Sequence, residues 1–580
     1  MSAAELLPLP VVIPICGAVL SPLVVKLDRR LGLVVGIVAM LGTLATLLPI
    51  ASQVYGGGGR VVVHYFSGER PFGGHELGIA FGADPFGMSF ALLTAGLGVL
   101  LMIALLSELA DLGKRELGGL SCLALLLLAA LIGAALTADT INLFVWFEVA
   151  ALASYGLTGF FLEQPPALEA TFKAVVLTSI GGFVVFAGSA MLYSTDGALN
   201  FGQLHAALPH APGRAELVAL AFLVAGYATK AGLAPFHGWL PDAHAQGPAA
   251  VPALFSALMV DLGVIALVRI VLQVYGPVSA HRALGLLTAL GVVSALLGAL
   301  MALCQDDLKR LLAWDTISQV GILLVGFASA TDEGVGGAVF HLVNHGLFKA
   351  LLFLCAGVVV HVTGLTKLSE LGGLARRKPV ITGCFAVGAL AIAGVPGLNA
   401  YASLGLIHDG LQHTPVILAG AVAAQAITVA VFARALWLGF LRPRARAYER
   451  LERTPRALGG VLVVLAVGTV GIGTVPYQLV RSVAAPAASI VLDPARYASA
   501  LLHGGGSLVT TPIPFDYAKP EDLLLALLEL VVGLVLAALW VRFGEPRPVT
   551  WLRRLHTGSV NDYATFVAGG LVLGAGVLLI

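Results

Sequence analysis

Charged residues are scarce in this sequence. Asp, Glu, Lys and Arg together make up 11% of its 580 residues, while 58% of the residues are hydrophobic. Soluble domains carry about 25% charged residues, so the composition excludes a soluble domain and predicts an integral membrane protein. The net charge of +1 and the lack of a basic tract give no indication of nucleic-acid binding.

Cysteine is also rare. The five cysteines stand singly in or beside apolar runs, without the CxxC spacing of a zinc or iron–sulfur site. The sequence shows no glycine-rich phosphate loop and no nucleophile–histidine arrangement. We therefore predict no metal and no bound cofactor. Whether the chain is part of an enzyme stays open, since it has no evident redox or hydrolytic site. The cysteines are Cys16, Cys122, Cys304, Cys355 and Cys384.

Long apolar runs fill most of the chain. A spanning helix needs roughly 20 apolar residues, and about sixteen runs meet this requirement. Most lysines and arginines fall in alternate loops, which predicts an N-terminus on the non-cytoplasmic side of a cell's inner membrane. The first run lacks a basic leader, so we expect a span and no cleaved signal peptide. The runs lie near 6–26, 31–51, 85–107, 118–137, 139–162, 170–194, 215–236, 248–275, 283–304, 309–329, 334–361, 380–411, 414–441, 456–480, 521–542 and 561–580.

Two segments on the predicted outer side carry further expectations. The loop from Tyr55 to Asp84 contains a β-like run over Arg60–Phe66, and we expect a hairpin there. The carboxylate of Asp84 precedes the third apolar run and can cap a helix N-terminus. The segment from Ser482 to Pro520 is typical of a connector and contains a possible amphipathic stretch.

The seventh apolar run carries a lysine in its middle. Lys230 is followed by Pro235 in TKAGLAP, and proline removes a backbone hydrogen bond and breaks or kinks a helix. A charge within a spanning helix is expensive and usually functional. Broken helices at membrane depth survive where they line a cavity. The pattern therefore predicts an ion-handling site at Lys230.

A second break is predicted in the twelfth run, where AIAGVP ends at Pro396. Interrupted spans at matching positions of two blocks indicate an inverted repeat. We therefore predict N-terminal helices with an external loop over 1–117 and a first repeat over 118–275. The second repeat is predicted over 283–441, and C-terminal helices with the connector over 442–580.

Two carboxylates are predicted within the membrane. Glu148 has apolar neighbours on both sides, and we expect it to pair with Lys230, because opposite charges hold both groups in their charged forms. Separation of this pair would release the lysine toward its neutral form, so the pair can gate proton uptake. The alternative is a glutamate solvated at the membrane interface. Asp261 lies in the middle of the eighth run, where we also expect a functional role.

The eleventh run contains His341, His345 and Lys349. Spacings of four residues place all three on one helix face. Because histidine titrates near neutral pH, this row predicts a proton wire. One alternative is a set of packed polar residues that bond to a broken neighbouring helix. Another is a zinc site, although no third ligand lies nearby in the sequence.

Four motifs resemble those of the antiporter-like subunits shared by respiratory complex I, Mrp-type cation/proton antiporters and membrane-bound hydrogenases. They are NLFVWFE, TKAGLAPFHGWLPDAH, DDLKRLLAWDTISQVG and HLVNHGLFKALLFLCAG. The resemblance runs from about Asp84 to Arg434. It implies an all-α membrane fold, with a fourteen-helix core of two inverted five-helix repeats broken at helices 7 and 12. This chain would add about two C-terminal transmembrane helices.

The resemblance also implies roles for particular residues. Glu148 corresponds to a glutamate on helix five and Lys230 to a lysine on helix seven. The histidines and the lysine of the eleventh run correspond to a relay. Asp261 departs from the family, since many members have a lysine or histidine there.

The second break departs further. Leu404 stands where a lysine or glutamate is usual, and Asp315 replaces a small hydroxyl residue. His408 and Asp409, one turn beyond Leu404, are candidates to substitute. Alternatively, the second half-channel is altered or inactive.

These observations predict a proton-translocating subunit of a larger membrane complex, with other membrane subunits, lipid and protons as partners. Protons would pass from the Glu148–Lys230 pair through the residues of the eleventh run, with release near Asp409. An Mrp-type subunit that exchanges sodium ions for protons is the first alternative. A membrane scaffold that anchors a soluble partner enzyme is the second, favoured by Leu404 and Asp261.

Overall fold

The computed structural model describes residues 2–56, 59–66, 78–109, 112–209, 211–444, 448, 451–554, 556 and 558–579. Within these residues, 14 helices are long and apolar enough to cross a membrane. The seventh and twelfth predicted spans are helical as well, but both are interrupted. The all-α polytopic membrane fold is confirmed, and each predicted span corresponds to helix.

We number the spanning helices in chain order. The first eleven are α1 Ala3–Val24, α2 Arg29–Val54, α3 Pro85–Ser107, α4 Lys114–Leu136, α5 Thr140–Thr158, α6 Pro165–Asp196, α7 Arg214–Ala231, α8 Val251–Tyr275, α9 His281–Leu303, α10 Leu308–Ala328 and α11 Asp332–Thr363. The interrupted twelfth span consists of α12 Pro379–Ile392 and α13 Asn399–Gly410. The last four are α14 Pro415–Leu441, α15 Arg456–Thr474, α16 Pro520–Phe543 and α17 Val560–Leu579.

Helices α8 and α10 form the centre of the bundle. Both are buried along their whole apolar length, whereas α16 and α17 expose most of their apolar surface. A helix that is hydrophobic all round belongs in an interior or in lipid. The chain thus surrounds two central helices with lipid-facing ones.

A small antiparallel sheet lies on the side of the long loop between α2 and α3. Its strands are β1 Arg60–Tyr65, β2 Ala80–Ala83 and β3 Gly505–Ser507, in the order β2–β1–β3. Tyr65 stands opposite Ala80 in the β1–β2 pair, which confirms the predicted hairpin. The third strand comes from the connector, a pairing that was not predicted.

The connector is anchored to the central helices. Its amphipathic helix Pro494–Leu502 buries Tyr497, whose ring centroid lies 5.2 Å from the guanidinium carbon of Arg269 on α8. Arg269 also forms an ion pair with Asp84 in which both side chains are buried. Asp84 accepts a hydrogen bond from the Gly87 amide at 2.7 Å, which confirms its capping role. This cluster joins α3, α8 and the connector.

The break after α7 is stabilised by its neighbours. Gly232 ends the helix with φ at 68°, in the left-handed region that glycine tolerates. Beyond it, the Ala234 amide donates to Ser294 Oγ of α9 at 2.9 Å. The indole of Trp239 donates to the Thr229 carbonyl at 2.8 Å. Backbone groups freed by the break therefore have partners, as a buried break requires.

The break between α12 and α13 is built in the same way. Gly394 has φ at 71°, and the side chain of Gln425 on α14 donates to the Ile392 carbonyl at 2.8 Å. The Gly397 amide donates to the hydroxyl of Tyr517 in the connector at 2.6 Å. From the alternation of spans, α7 and α12 run in opposite directions across the membrane. The exact repeat boundaries, 118–275 and 283–441, stay a prediction.

The last two helices each cover one break. A Cβ on Gly570 of α17 would lie 2.7 Å from Pro235, just beyond α7, and Tyr563 packs against Gly238. A Cβ on Gly533 of α16 would lie 2.5 Å from the Ala426 carbonyl oxygen of α14. Because α16 also contacts α13, the C-terminal helices are part of the walls around both interrupted spans.

Candidate functional site

A row of buried ionisable side chains crosses the centre of the bundle. Its members come from α7, α8, α10 and α11 and from the segment between α7 and α8. All of them have no exposed surface. They are Lys230, His244, Asp261, Asp315, His341, His345 and Lys349.

The row begins at the first break with Lys230. Its ammonium lies 5.3 Å from the centre of the Phe147 ring and has no hydrogen-bond partner among the described residues. Glu148 follows Phe147 on α5, and its buried Oε1 packs against Gly182 of α6. The charges of Glu148 and Lys230 interact, but no hydrogen bond joins these two side chains. Glu148 and Lys230 are thus in an open arrangement without direct contact, and their action as a gating pair stays a prediction.

His244 follows Lys230 in the row. The sequence prediction did not include it among the site residues, although the histidine was visible in the motif that follows the first break. Its ring packs at 5.8 Å from Trp239 and 5.6 Å from Phe255. Its charge interacts with both Lys230 and Lys349. Both ring nitrogens of His244 have no hydrogen-bond partner among the described residues.

Lys349 forms a closed pair. Its ammonium contacts the carboxylate of Asp315 on α10 and donates to the Leu312 carbonyl at 3.2 Å. Asp315, which replaces the usual small hydroxyl residue, is therefore the acidic partner of Lys349. Each buried lysine of the row therefore has one carboxylate nearby. Asp315 contacts Lys349, whereas Glu148 does not contact Lys230.

Asp261 faces the relay predicted on α11. The distance between its Oδ1 and Nδ1 of His345 is 3.4 Å. The carboxylate oxygens of Asp261 and both ring nitrogens of His345 have no hydrogen-bond partner in the described part of the chain. A π-helical turn over Phe255–Met259 precedes Asp261, and such turns are frequent at functional sites. The structure thus brings together two residues predicted from separate runs.

His341 connects the row to the second break. Its Nδ1 lies 3.0 Å from Ser403 Oγ on α13, and its Nε2 lies 3.1 Å from Gln319 Oε1 on α10. Asn344 donates to the Asn399 carbonyl at 2.8 Å. Along α11 the order from the first break to the second is Lys349, His345 and His341. Among the described residues, no group of three or more His, Cys, Asp or Glu is arranged to hold a metal ion.

The row ends beside the C-terminal helix α16. Leu404 is buried and apolar, while the charges of His341 and His408 interact. Nε2 of His408 lies 3.7 Å from Oε1 of Glu529, a buried carboxylate of α16. Asp409 is farther out and pairs with Lys519 of the connector. The sequence prediction missed Glu529, although a glutamate in the middle of an apolar run was a visible signal.

A polar cleft lies beside the first break, on the side of the membrane opposite to Asp409 and Lys519. Lys173 of α6 contacts Glu169 at 2.5 Å and Asp242 at 2.7 Å. Arg310, at the start of α10, contacts Asp242 at 2.9 Å. The side chain of Lys173 is only 4% exposed. Its charge is therefore neutralised by these carboxylates and does not extend into water at the membrane interface. The cleft that this network lines also includes Gly238 and Pro241 of the segment that contains His244.

Comparisons with known proteins agree with this architecture. Residues 137–432 match the family described as NADH:quinone oxidoreductase/Mrp antiporter, TM. The chain is 32% identical over 443 residues to NADH-quinone oxidoreductase subunit N of Desulforudis audaxviator, covering 72% of this chain and 86% of that protein.

Two solved structures share the fold. A chain of the Mrp complex from Dietzia sp. DQ12-45-1b has a TM-score of 0.78 at 24% identity, with 87% of this chain and 100% of that chain covered. A chain of the membrane-bound sulfane sulfur reductase, an archaeal respiratory membrane complex, has a TM-score of 0.78 at 27% identity, with 85% and 99% covered. Both neighbours are chains of multisubunit membrane complexes. The family match spans half of this chain and includes both broken helices, so the protein belongs to the NADH:quinone oxidoreductase/Mrp antiporter family of membrane subunits.

Proposed function

We propose that this chain is a proton-translocating, antiporter-like subunit of a larger membrane complex, and that the buried row is its proton path. The observation that carries the proposal is the complete burial of this row of ionisable side chains between the two breaks. Ionisable groups within a membrane are rare and mark ion pathways or proton relays. The proposed partners are other membrane subunits, lipid and protons.

The proposed location is the inner membrane of a cell, with the N-terminus on the non-cytoplasmic side. The support comes from the loops. Lysines and arginines are concentrated in the loops on the side that includes Lys114, Arg115, Arg376 and Arg377, as expected for cytoplasmic loops. The cleft around Lys173 lies on that side and would be the cytoplasmic entrance.

The proposed mechanism begins with the open pair. A closed contact with Glu148 would hold the proton on Lys230. In the open arrangement the ammonium has less electrostatic stabilisation and releases its proton more readily. His244 can accept that proton on one ring nitrogen and donate another from the opposite nitrogen. The next proton binds the Asp315 carboxylate, which weakens its contact with the Lys349 ammonium. Lys349 can then release a proton toward His345, and Asp315 returns its own proton to Lys349. Buried polar atoms without protein partners are usually satisfied by water, and we assign bridging waters to these gaps.

From Lys349 the path follows α11. His345 and Asp261 would carry the proton to His341, whose contacts with Ser403 lead to the second break. A carboxylate at position 261 can bind a proton from one neighbour and release it to the next. The proton then leaves toward His408 and the outer side.

The test is proton flux in vesicles that contain the full chain with its co-purifying subunits. A potassium diffusion potential drives the flux, and an internal pH-sensitive dye reports it. We expect Lys230→Ala to reduce the flux at least about tenfold, since a positioned proton carrier is worth two to four orders of magnitude in rate. Lys26→Ala is the control, because Lys26 is exposed and outside the row.

Three results would contradict the proposal or redirect it. Unchanged flux in Lys230→Ala would show that the row is not the path. A requirement for sodium, seen as loss of flux when choline replaces it, would favour exchange of sodium ions for protons. Flux that is insensitive to Glu148→Gln, together with a stable soluble partner, would favour the scaffold.

A further inference from the structure

The second break lacks an ionisable residue of its own. In the first break, Lys230 stands two positions before the left-handed Gly232. The position two before Gly394 in the second break is Ile392, which is apolar and buried. Leu404 of α13 is also buried. A path that passes from His341 to His408 of α13 therefore needs a further acid or base from another element to continue.

Glu529 of α16 meets this need by position. The helix is 24 residues long and exposes most of its apolar surface to lipid, but Glu529 is only 2% exposed. Its Oε1 is 3.7 Å from Nε2 of His408 and has no hydrogen-bond partner among the described residues. A carboxylate in a spanning helix is costly unless it faces the bundle or a polar cavity. This carboxylate faces the histidine that follows Leu404.

A small cavity joins these groups. Its walls include Gly394, Leu404, His408, Asp522 and Glu529. The volume of this cavity is about 10 Å³, which is close to the room that one water molecule needs. The second break, the apolar Leu404 and the carboxylate of Glu529 therefore line the same cavity.

Charged residues lie between the cavity and the predicted outer side. Asp522, two turns before Glu529 on α16, lies against α13, where a Cβ on Gly405 would be 3.2 Å from its Oδ2. The carboxylate of Asp522 interacts with Asp409 and with Lys519. The side chains of Asp409 and Lys519 are 20% and 31% exposed. An exit thus lies one step beyond Glu529.

We propose that Glu529 is a proton-carrying residue of the second half-channel and supplies from α16 the buried ionisable group that the second break lacks. In each transfer, protonated His408 gives its Nε2 proton to the Glu529 carboxylate. The resulting carboxylic acid then releases that proton to water beside Asp522. Glu529 is then a carboxylate again, and the neutral His408 takes its next proton from the side of His341, so each cycle moves one proton. This inference rests on the proposed function of the chain as a proton path.

The test uses the same vesicles and three variants of the full chain. We expect Glu529→Gln, which keeps the shape and removes the titrating group, to reduce proton flux at least about tenfold. We expect Glu529→Asp to retain more flux than Glu529→Gln. The double variant Leu404→Glu/Glu529→Gln places a carboxylate on the broken helix, in the wall of the same cavity. It should recover flux to within about threefold of the wild type.

Controls separate this inference from the proposed function. Glu521→Gln removes an 80% exposed carboxylate from the same helix and should leave flux unchanged. If Glu529→Gln conducts normally while Lys230→Ala does not, Glu529 is not a carrier and the proposed function stands. If both conduct normally, the proposed function fails. Loss of flux in Glu529→Gln that neither Glu529→Asp nor the double variant restores would assign Glu529 a structural role and overturn the inference.

Discussion

At the scale of single residues, the two lysines of the row differ in their surroundings. Lys230 has its carboxylate nearby but unbonded, whereas Lys349 contacts Asp315 directly. An opposite charge favours the charged form of a group, and separation of the charges removes that preference. The structure therefore holds one pair open and the other closed. Alternation between these arrangements is a physical basis for moving a proton from the first lysine to the second.

The outermost pair, Lys519 with Asp409, gives a pH-dependent prediction. The hydrogen bond to Asp409 raises the pKa of Lys519 above its ordinary value of 10.5. A raised folded-state pKa means that the pair's stabilisation is complete below pH 10.5 and is lost as pH rises through the folded pKa. Because both side chains are partly exposed, Asp409→Asn should lower the free energy of unfolding by about 0.2–1 kcal/mol at neutral pH.

Thermal unfolding midpoints of wild type and Asp409→Asn check this expectation. The difference between them should shrink from about pH 8 to about pH 11, where lysine begins to lose its proton. Lys519→Arg is the matched control, since arginine stays charged at both pH values. The difference in unfolding midpoint between Lys519→Arg and Asp409→Asn should therefore be the same at about pH 8 and about pH 11. An equal difference at both pH values would contradict the assignment of the raised pKa to this pair.

At the scale of elements, both breaks depend on side chains from neighbouring helices. The Ala234 amide has its acceptor in Ser294 of α9, and the Ile392 carbonyl has its donor in Gln425 of α14. A buried backbone group without a partner costs about 1–3 kcal/mol. The geometry of each break is therefore set by a helix that is distant in sequence.

We expect Ser294→Ala to lower the free energy of unfolding by about 1–3 kcal/mol, because it leaves the buried Ala234 amide unpaired. Thr288→Ala is the control on the same helix, since among the described residues the hydroxyl of Thr288 bonds only to the Leu284 carbonyl of its own helix. It should change stability by about 0.5 kcal/mol or less. Unfolding of the purified chain in detergent measures both. Equal effects of the two substitutions would show that the Ala234 amide does not depend on Ser294.

The breaks and spans could be predicted from sequence because their signals are local. An apolar run of about 20 residues marks a span, and a proline beside a lysine marks a break. The partners in the site could not be predicted in this way. Glu529 meets His408 only because α16 packs against α13, and His244 is linked to Lys349 only through the fold. Asp315 was noted in the sequence, but its pairing with Lys349 required the packing of α10 against α11.

At the scale of the whole molecule, each of the last two helices packs against one of the two breaks. Helix α17 packs on the segment after α7, and α16 packs on α13 and α14. The link between α16 and α17 contains the short helix Arg547–Arg554 on the proposed cytoplasmic side. Each break therefore contacts one of two spanning helices that follow each other directly in the chain.

Two adjacent glycines of α17 test the contact with the first break. A Cβ on Gly570 would lie 2.7 Å from Pro235 and 2.8 Å from Phe236, whereas a Cβ on Gly569 meets no atom within 4 Å. Alanine favours helix at both positions by about 1 kcal/mol. We expect Gly569→Ala to be neutral or stabilising, and Gly570→Ala to be less stable than Gly569→Ala by about 1–3 kcal/mol, since overpacking forces neighbours apart.

Thermal unfolding and proton flux of the two variants check this expectation. Reduced flux in Gly570→Ala with normal flux in Gly569→Ala would indicate that the cover of the first break affects conduction. Identical stability of the two variants would contradict the close packing of α17 against Pro235 and Phe236.

The three-stranded sheet has a consequence for biosynthesis. Strand β1 ends at Tyr65, but its second neighbour, β3, begins at Gly505. During translation, β1 therefore emerges long before β3 and presents an unpaired edge, which can bind other strands. Closure of the sheet must await nearly the whole chain. A ribosome stalled before Gly505 should leave this edge accessible to proteases on the translocated side, and completion of the connector should protect it.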